Sequence, residues 1–110
     1  MSKISTVNFT GASGTVYSFD VYALSTTFNP IGAVYVITKR TPKPGGGGDH
    51  TVIYIGHTGD LSSRFDDHHK ANCFSRHYAN CICIHVEADE DVRLDIESDL
   101  IAAYQPPCNG

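Results

Sequence analysis

The sequence predicts an α+β fold, a small central β-sheet flanked by helices, with an added N-terminal strand or hairpin. Three observations predict it. Short apolar runs rich in β-branched residues recur at 31–38, 52–55 and 81–86. Stripes of helical period follow two of them, beyond Asp60 and beyond Glu87. A chain of 110 residues has room for one core.

Taken in order, residues 9–13 are small and turn-prone, with Gly11 and Gly14 as punctuation. The stretch 15–22 alternates, placing Thr15, Tyr17, Phe19 and Val21 on an apolar face and Val16, Ser18, Asp20 and Tyr22 on the other, so it reads as an added edge strand. Pro30 holds Asn29 extended and closes a loop. IGAVYVIT at 31–38 reads as a central strand. KRTPKPGGGGDH at 39–50 reads as a flexible loop joining the two halves of a hairpin, first of all a tolerated surface insertion, with a mobile basic rim of Lys39, Arg40 and Lys43 meeting phosphate as its functional alternative.

Val52 to Ile55 form a buried strand that Gly56 ends. Asp60 can cap the helix that follows, with Leu61 and Phe65 on its inner face and Arg64 and His68 four apart on a wetter one. Residues 71–80 read as irregular. CICIHV at 81–86 is a strand with Cys81 and Cys83 on one face. The acids at 87–91 suit the positive end of a final helix, whose buried stripe is expected to be Val92, Ile96 and Leu100 with Ile101 and Tyr104 beside them. Pro106 and Pro107 stop it. The chain thus divides into an extension at 1–30 and a domain at 31–110 that form one compact unit.

No apolar run is long enough to cross a bilayer, and the first residues lack the apolar centre of an export signal. A cytoplasmic protein with reduced Cys73, Cys81, Cys83 and Cys108 is therefore expected. A zinc site built from Cys73, His77 and Cys81 with His68 or His69 is the alternative use of those residues. The net charge of −4 is uneven, because residues 59–110 hold four basic and ten acidic side chains. Phosphate binding needs positive charge, so a nucleic-acid ligand would require it concentrated at a site or supplied by a second copy or partner subunit.

Ala33-Val34-Tyr35 in one strand and Tyr54-Ile55-Gly56 in the next, followed by Leu61, Arg64 and His68, resemble the two motif halves of the GIY-YIG nuclease family. Glu97, Leu100-Ile101, the prolines and Asn109 continue the resemblance, which covers residues 32–109. Ala33 stands where that family has glycine, and Gly32 lies one place earlier. The resemblance implies a GIY-YIG-like fold and a metal-dependent endonuclease that hydrolyses DNA phosphodiester bonds with Mg2+ or Mn2+. It further implies Tyr35 near the nucleophilic water with Tyr54 assisting, Arg64 on phosphate, His68 in proton transfer or phosphate binding, and Glu97 as metal ligand.

Each residue also has a plainer use. Tyrosines in strands are commonly core residues with a satisfied hydroxyl, and Arg93 precedes Glu97 by four, the spacing of a surface helix pair. Lys39, Arg40, His57 and Asn109 are secondary candidates for substrate contact, with a structural hydrogen bond expected of Asn109. A non-catalytic module of the same fold, binding nucleic acid or protein, is the alternative function.

Overall fold

A computed structural model describes residues 3–64 and 70–109. Five strands, β1 (Ser5–Thr10), β2 (Val16–Ala23), β3 (Ala33–Pro42), β4 (Gly48–Thr58) and β5 (Cys81–Val86), form one antiparallel sheet in the order β1-β2-β5-β3-β4. The helices are α1 (Leu61–Arg64), α2 (Ala71–Arg76) and α3 (Glu90–Tyr104). The expected hairpin of the two motif strands is present as β3 and β4, and the N-terminal extension joins the same sheet through β2 on β5. No described helix is long and apolar enough to cross a membrane.

Both faces of the sheet are covered, which is why β3 and β5 read as continuous apolar runs rather than alternating ones. On one face Phe9, Phe19, Val21, Val34, Val36, Ile55, Cys81 and Cys83 pack against Ile96 and Leu100 of α3. On the other, Tyr35, Ile37, Ile53, Tyr54, Ile82 and Ile84 pack against Leu61, Phe74 and Cys108. Cys81 and Cys83 share a face, as the alternation predicts.

Four expectations need correction. The outermost strand on the N-terminal side is β1, so β2 is an interior strand. β1 escapes detection because Val7 and Phe9 are the only apolar residues it turns inward. The segment 39–50 is mostly strand: β3 runs to Pro42 and β4 starts at Gly48, because the main-chain ladder continues in register past the core. The turn is only Lys43 to Gly47, closed by Lys43 N–H to the Gly47 carbonyl at 3.1 Å, and its Gly45, Gly46 and Gly47 take φ of +86°, +109° and +73°, where other residues would be strained. Residues 71–76 are helical, anchored by one buried side chain, Phe74.

The fourth correction concerns α3. Asp89 caps it, accepting from the N–H groups of Asp91 at 2.9 Å and Val92 at 3.3 Å, and Gln105 ends it in the left-handed region at φ 45°. Its buried stripe is Arg93, Ile96 and Leu100, while Val92 is 38% exposed. Arg93 displaces Val92 because its guanidinium finds acceptors inside, donating from Nη1 to the carbonyls of Glu87 at 2.9 Å and Ala88 at 3.0 Å. Arg93 is therefore a buried residue rather than half of a surface helix pair.

The loop between β1 and β2 is tied to α3 through Asp99, whose carboxylate accepts from the Ser13 and Tyr17 hydroxyls, each at 2.7 Å, and from Ser13 N–H at 2.8 Å. The Ser13 hydroxyl, then Tyr17, hold its pKa below the ordinary carboxylate value. A depressed folded pKa stabilises the protein above the unfolded value, near 4, and that contribution is lost as pH falls through the folded value. Asp99→Asn is expected to flatten the loss of stability below about pH 4, read as urea midpoints against pH. Parallel acid limbs in variant and wild type would contradict it.

Candidate functional site

The register of β3 on β4 places Tyr35 opposite Gly56 and Ile37 opposite Tyr54. An irregularity between Ile37 and Thr38 inserts Ile53 as an extra residue, so Ile53 and Tyr54 both pack on the Tyr35 face. The two tyrosine rings lie 6.0 Å apart, and Tyr54 also meets Phe74 at 5.5 Å. Gly56 makes this meeting fit: a Cβ there would stand 2.5 Å from the Tyr35 hydroxyl oxygen and 2.9 Å from Cε2 of Tyr54. Tyr35, Tyr54 and Gly56 thus occupy one place. Tyr35 is 0% exposed and Tyr54 8%.

Gly32, one place before Ala33, has a local explanation. A Cβ at Gly32 would fall 2.5 Å from Nη1 of Arg93 and 2.9 Å from the Glu87 carbonyl oxygen, so the missing side chain makes room for that buried cation. Ala33, one residue on, has its methyl inside the cluster around Tyr35.

The remaining candidates are distributed around this hairpin. His57 pairs with Val34 and so belongs to the α3 face, where its Nδ1 is buried without a partner. Glu97 is half-buried on α3, next to Ile96, on the helix covering the face opposite Tyr35. Asp99 is committed to Ser13 and Tyr17, and Asp95 is exposed. Arg64 ends α1, with its side chain outside what is described, and His68 lies outside the described residues. Asp60 caps α1 as expected, accepting from Ser62 N–H at 2.9 Å.

Lys39 and Arg40 lie on the long arm of the hairpin. The Lys39 ammonium stands 5.6 Å over the Tyr78 ring, and the Arg40 main chain is bracketed by Asn80, which accepts its N–H at 2.7 Å and donates to its carbonyl at 3.0 Å. Lys43 pairs with Asp49 at 3.2 Å in an exposed bridge worth little. Across the arm, His50 meets the Thr38 hydroxyl at 2.9 Å, and burial, followed by the Arg40 charge, lowers its pKa.

Beyond α3 the chain crosses to the outer edge of β4. Asn109 imitates a strand there: its amide oxygen accepts from Ile55 N–H at 2.8 Å and its nitrogen donates to the Ile55 carbonyl at 2.8 Å. Cys108 N–H donates to the Ile53 carbonyl at 3.0 Å. Asn109 therefore has the structural bond expected of it, and with Cys108 it brackets Tyr54.

Cys108 is joined to Cys73 by a disulfide across a sequence separation of 35, which overturns the expectation of four reduced thiols. Cys81 and Cys83 are free and buried, and burial pushes the Cys83 thiol up to about 12. The zinc grouping is corrected as well. Cys81 lies on the α3 face, and the residue that joins Cys73 and His77 is Cys108, the three ligand atoms lying within 4.8 Å of one another. Sulfur and imidazole suit soft cations and say nothing for Mg2+ or Mn2+.

Two surface depressions border this region. Leu24 to Phe28 with Leu61 and Ser62 line one, and Ile101, Gln105, Pro106 and Asn109 line the other. Neither is lined by the tyrosines or Glu97. No protein-family model, curated protein or solved structure matches this chain.

Proposed function

We propose that this protein is a metal-dependent endonuclease hydrolysing DNA phosphodiester bonds, with a GIY-YIG-like arrangement of residues. One observation carries the reading: Tyr35 and Tyr54 meet over Gly56, whose missing side chain their rings require. That contact between the strands supports reading the two segments as halves of one motif. Uncatalysed phosphodiester hydrolysis is slow enough that roughly 20 kcal/mol of barrier lowering is required. That demand calls for charge neutralisation at the phosphoryl oxygens and an oriented water.

In this reading Tyr35 and Tyr54 orient the water, which requires the enclosed Tyr35 hydroxyl to open to solvent and Glu97, on the helix over the opposite face, to reach the same phosphate. Arg64 holds phosphate through a guanidinium that stays charged at every working pH. His68 takes part in proton transfer, while Lys39, Arg40 and His57 contribute to substrate contact. Glu97 is the residue that would hold Mg2+ or Mn2+. A single half-buried carboxylate suits magnesium, which keeps most of its own waters. Held by Glu97, such an ion would supply polarisation of the phosphoryl group and stabilisation of the leaving oxygen. With a net charge of −4, DNA affinity draws on a local basic site, a second copy or a partner subunit. Cytoplasmic residence belongs to the same proposal.

The complete burial of Tyr35 favours a second reading, a binding module for nucleic acid or protein that does not cut. Cleavage separates the two. Single-stranded, duplex and branched DNA are incubated with protein in Mg2+ or Mn2+, with chelator, and with Glu97→Ala. The nuclease reading expects products that vanish with chelator and fall at least about a hundredfold in Glu97→Ala, as for a group acting directly on transition-state charge. Salt-dependent binding without products establishes the module instead.

A further inference from the structure

We propose that Cys73, His77 and Cys108 form a redox-gated site for one soft divalent cation, zinc by chemical class, that opens when the Cys73–Cys108 disulfide is reduced. The proposal is independent of the nuclease reading. It rests on how the three residues are held. Cys73 and His77 are four apart at the end of α2, the spacing that puts two side chains on one helix face. His77 is fixed there by its N–H, which donates to the carbonyls of Cys73 and Phe74, each at 3.2 Å. Cys108 is fixed independently from the β4 side through Ile53. The ligands therefore come from two anchored elements, and their donor atoms already lie within 4.8 Å of one another.

Geometry permits the exchange of bond for ion. Zinc takes thiolate at about 2.3 Å and imidazole at about 2.0 Å, so two sulfurs on one tetrahedral ion stand roughly 3.8 Å apart. Opening the disulfide and turning the side chains reaches that separation, since the Cα atoms are 5.9 Å apart. The chemistry balances. A dithiol reductant passes two electrons and two protons to the Cys73–Cys108 bond and becomes a disulfide itself. Zinc then takes the place of the two thiol protons, which leave to solvent, and accepts the lone pair of neutral His77. Three protein ligands leave a fourth position for water.

Exposure fits the gating: His77 is exposed and Cys73 partly so, which gives reductant and ion a way in, whereas Cys108 is buried. Cys81 and Cys83 lie on the other face of the sheet and are not part of the site.

Cobalt titration of the full chain tests this. Protein treated with dithiothreitol and desalted without oxygen is expected to bind one Co2+ with thiolate charge-transfer and tetrahedral d–d bands, displaced by Zn2+. Untreated protein is expected to show neither. His77→Ala keeps the disulfide and removes only an exposed side chain, so it folds; reduced, it is expected to bind at least roughly tenfold more weakly, since even groups behind a ligand contribute that much. The Cys81→Ser/Cys83→Ser double variant is expected to bind as wild type. No bands in reduced wild type, unchanged affinity in His77→Ala, or loss of binding in the double variant would overturn the proposal.

Discussion

Cys108→Ser is expected to lower the stability of the oxidised protein by about 4 kcal/mol, the loop-closure value for a cross-link spanning 35 residues. For a domain of this size that is a fall in melting temperature of about 15 °C. The effect is large because the bridge closes the chain on itself at a critical place. Among the described residues the C-terminal segment is joined to the edge of β4 by three hydrogen bonds, with Cys108 N–H and the Asn109 amide nitrogen donating to the Ile53 and Ile55 carbonyls and Ile55 N–H donating to the Asn109 amide oxygen. Without the cross-link the unfolded chain regains its freedom, and the buried position of Cys108 receives a hydroxyl with its own desolvation cost. Thermal melts of oxidised wild type, reduced wild type and the variant measure it. Reduced wild type should melt close to the variant, and a shift under about 3 °C, less than 1 kcal/mol at this size, would show the bridge to be structurally idle. Zinc gives the same experiment a further arm. At a hundredfold excess over its dissociation constant, a ligand confined to the folded state contributes about 2.7 kcal/mol. Much of the loss in reduced wild type should therefore return with zinc, and none in the oxidised protein.

Where the sequence was legible, a single physical requirement dominated. AVYVI and CICI are strands because both of their faces are buried, and no other arrangement covers so dense an apolar run. The alternation of Tyr17, Phe19 and Val21 likewise fixed the face of β2. β1 was illegible because its inward positions, Ser5, Val7 and Phe9, hold only two apolar residues, and its other three residues are exposed Thr and Asn. Helix α2 is six residues long with one buried side chain, too little for a periodic signal. Arg93 was misread because hydropathy favours Val92, whereas carbonyls of a preceding loop decide which way the helix turns. The disulfide was illegible for a different reason. Pairing among four cysteines is a three-dimensional fact, and a separation of 35 leaves no local trace. At the candidate site, the two tyrosines were readable as strand residues. What no spacing could show was that Tyr35 and Gly56 face each other across the ladder, since that depends on where the turn at Gly45 to Gly47 places the register.

That facing pair supplies the second large effect. Gly56→Ala is expected to destabilise the protein by about 2 kcal/mol, and the sign follows from two opposing magnitudes. Replacing a strand glycine with alanine removes unfolded-state freedom, a gain of about 0.5–1 kcal/mol. Overpacking a closed core costs about 1–3 kcal/mol, and this position lies at the upper end. The new methyl would meet the Tyr35 hydroxyl oxygen at 2.5 Å, its Cζ at 2.6 Å and Tyr54 Cε2 at 2.9 Å. Neither ring has room to retreat. Tyr35 is wholly enclosed, and Tyr54 is backed by Phe74. Gly59→Ala is the control, because its nearest contact is Nη2 of Arg93 at 3.7 Å, an ordinary van der Waals distance. It should stay within about 0.5 kcal/mol of wild type. A double-mutant cycle locates the clash. Tyr35→Phe deletes the atom closest to the added methyl, so Gly56→Ala should cost less by about 0.5–1 kcal/mol in the Tyr35→Phe background than in wild type. Urea denaturation of the four proteins provides the numbers. Additive effects would mean that the strain sits elsewhere, and a neutral Gly56→Ala would mean that the tyrosine pair does not require the glycine, removing the observation on which the nuclease reading stands.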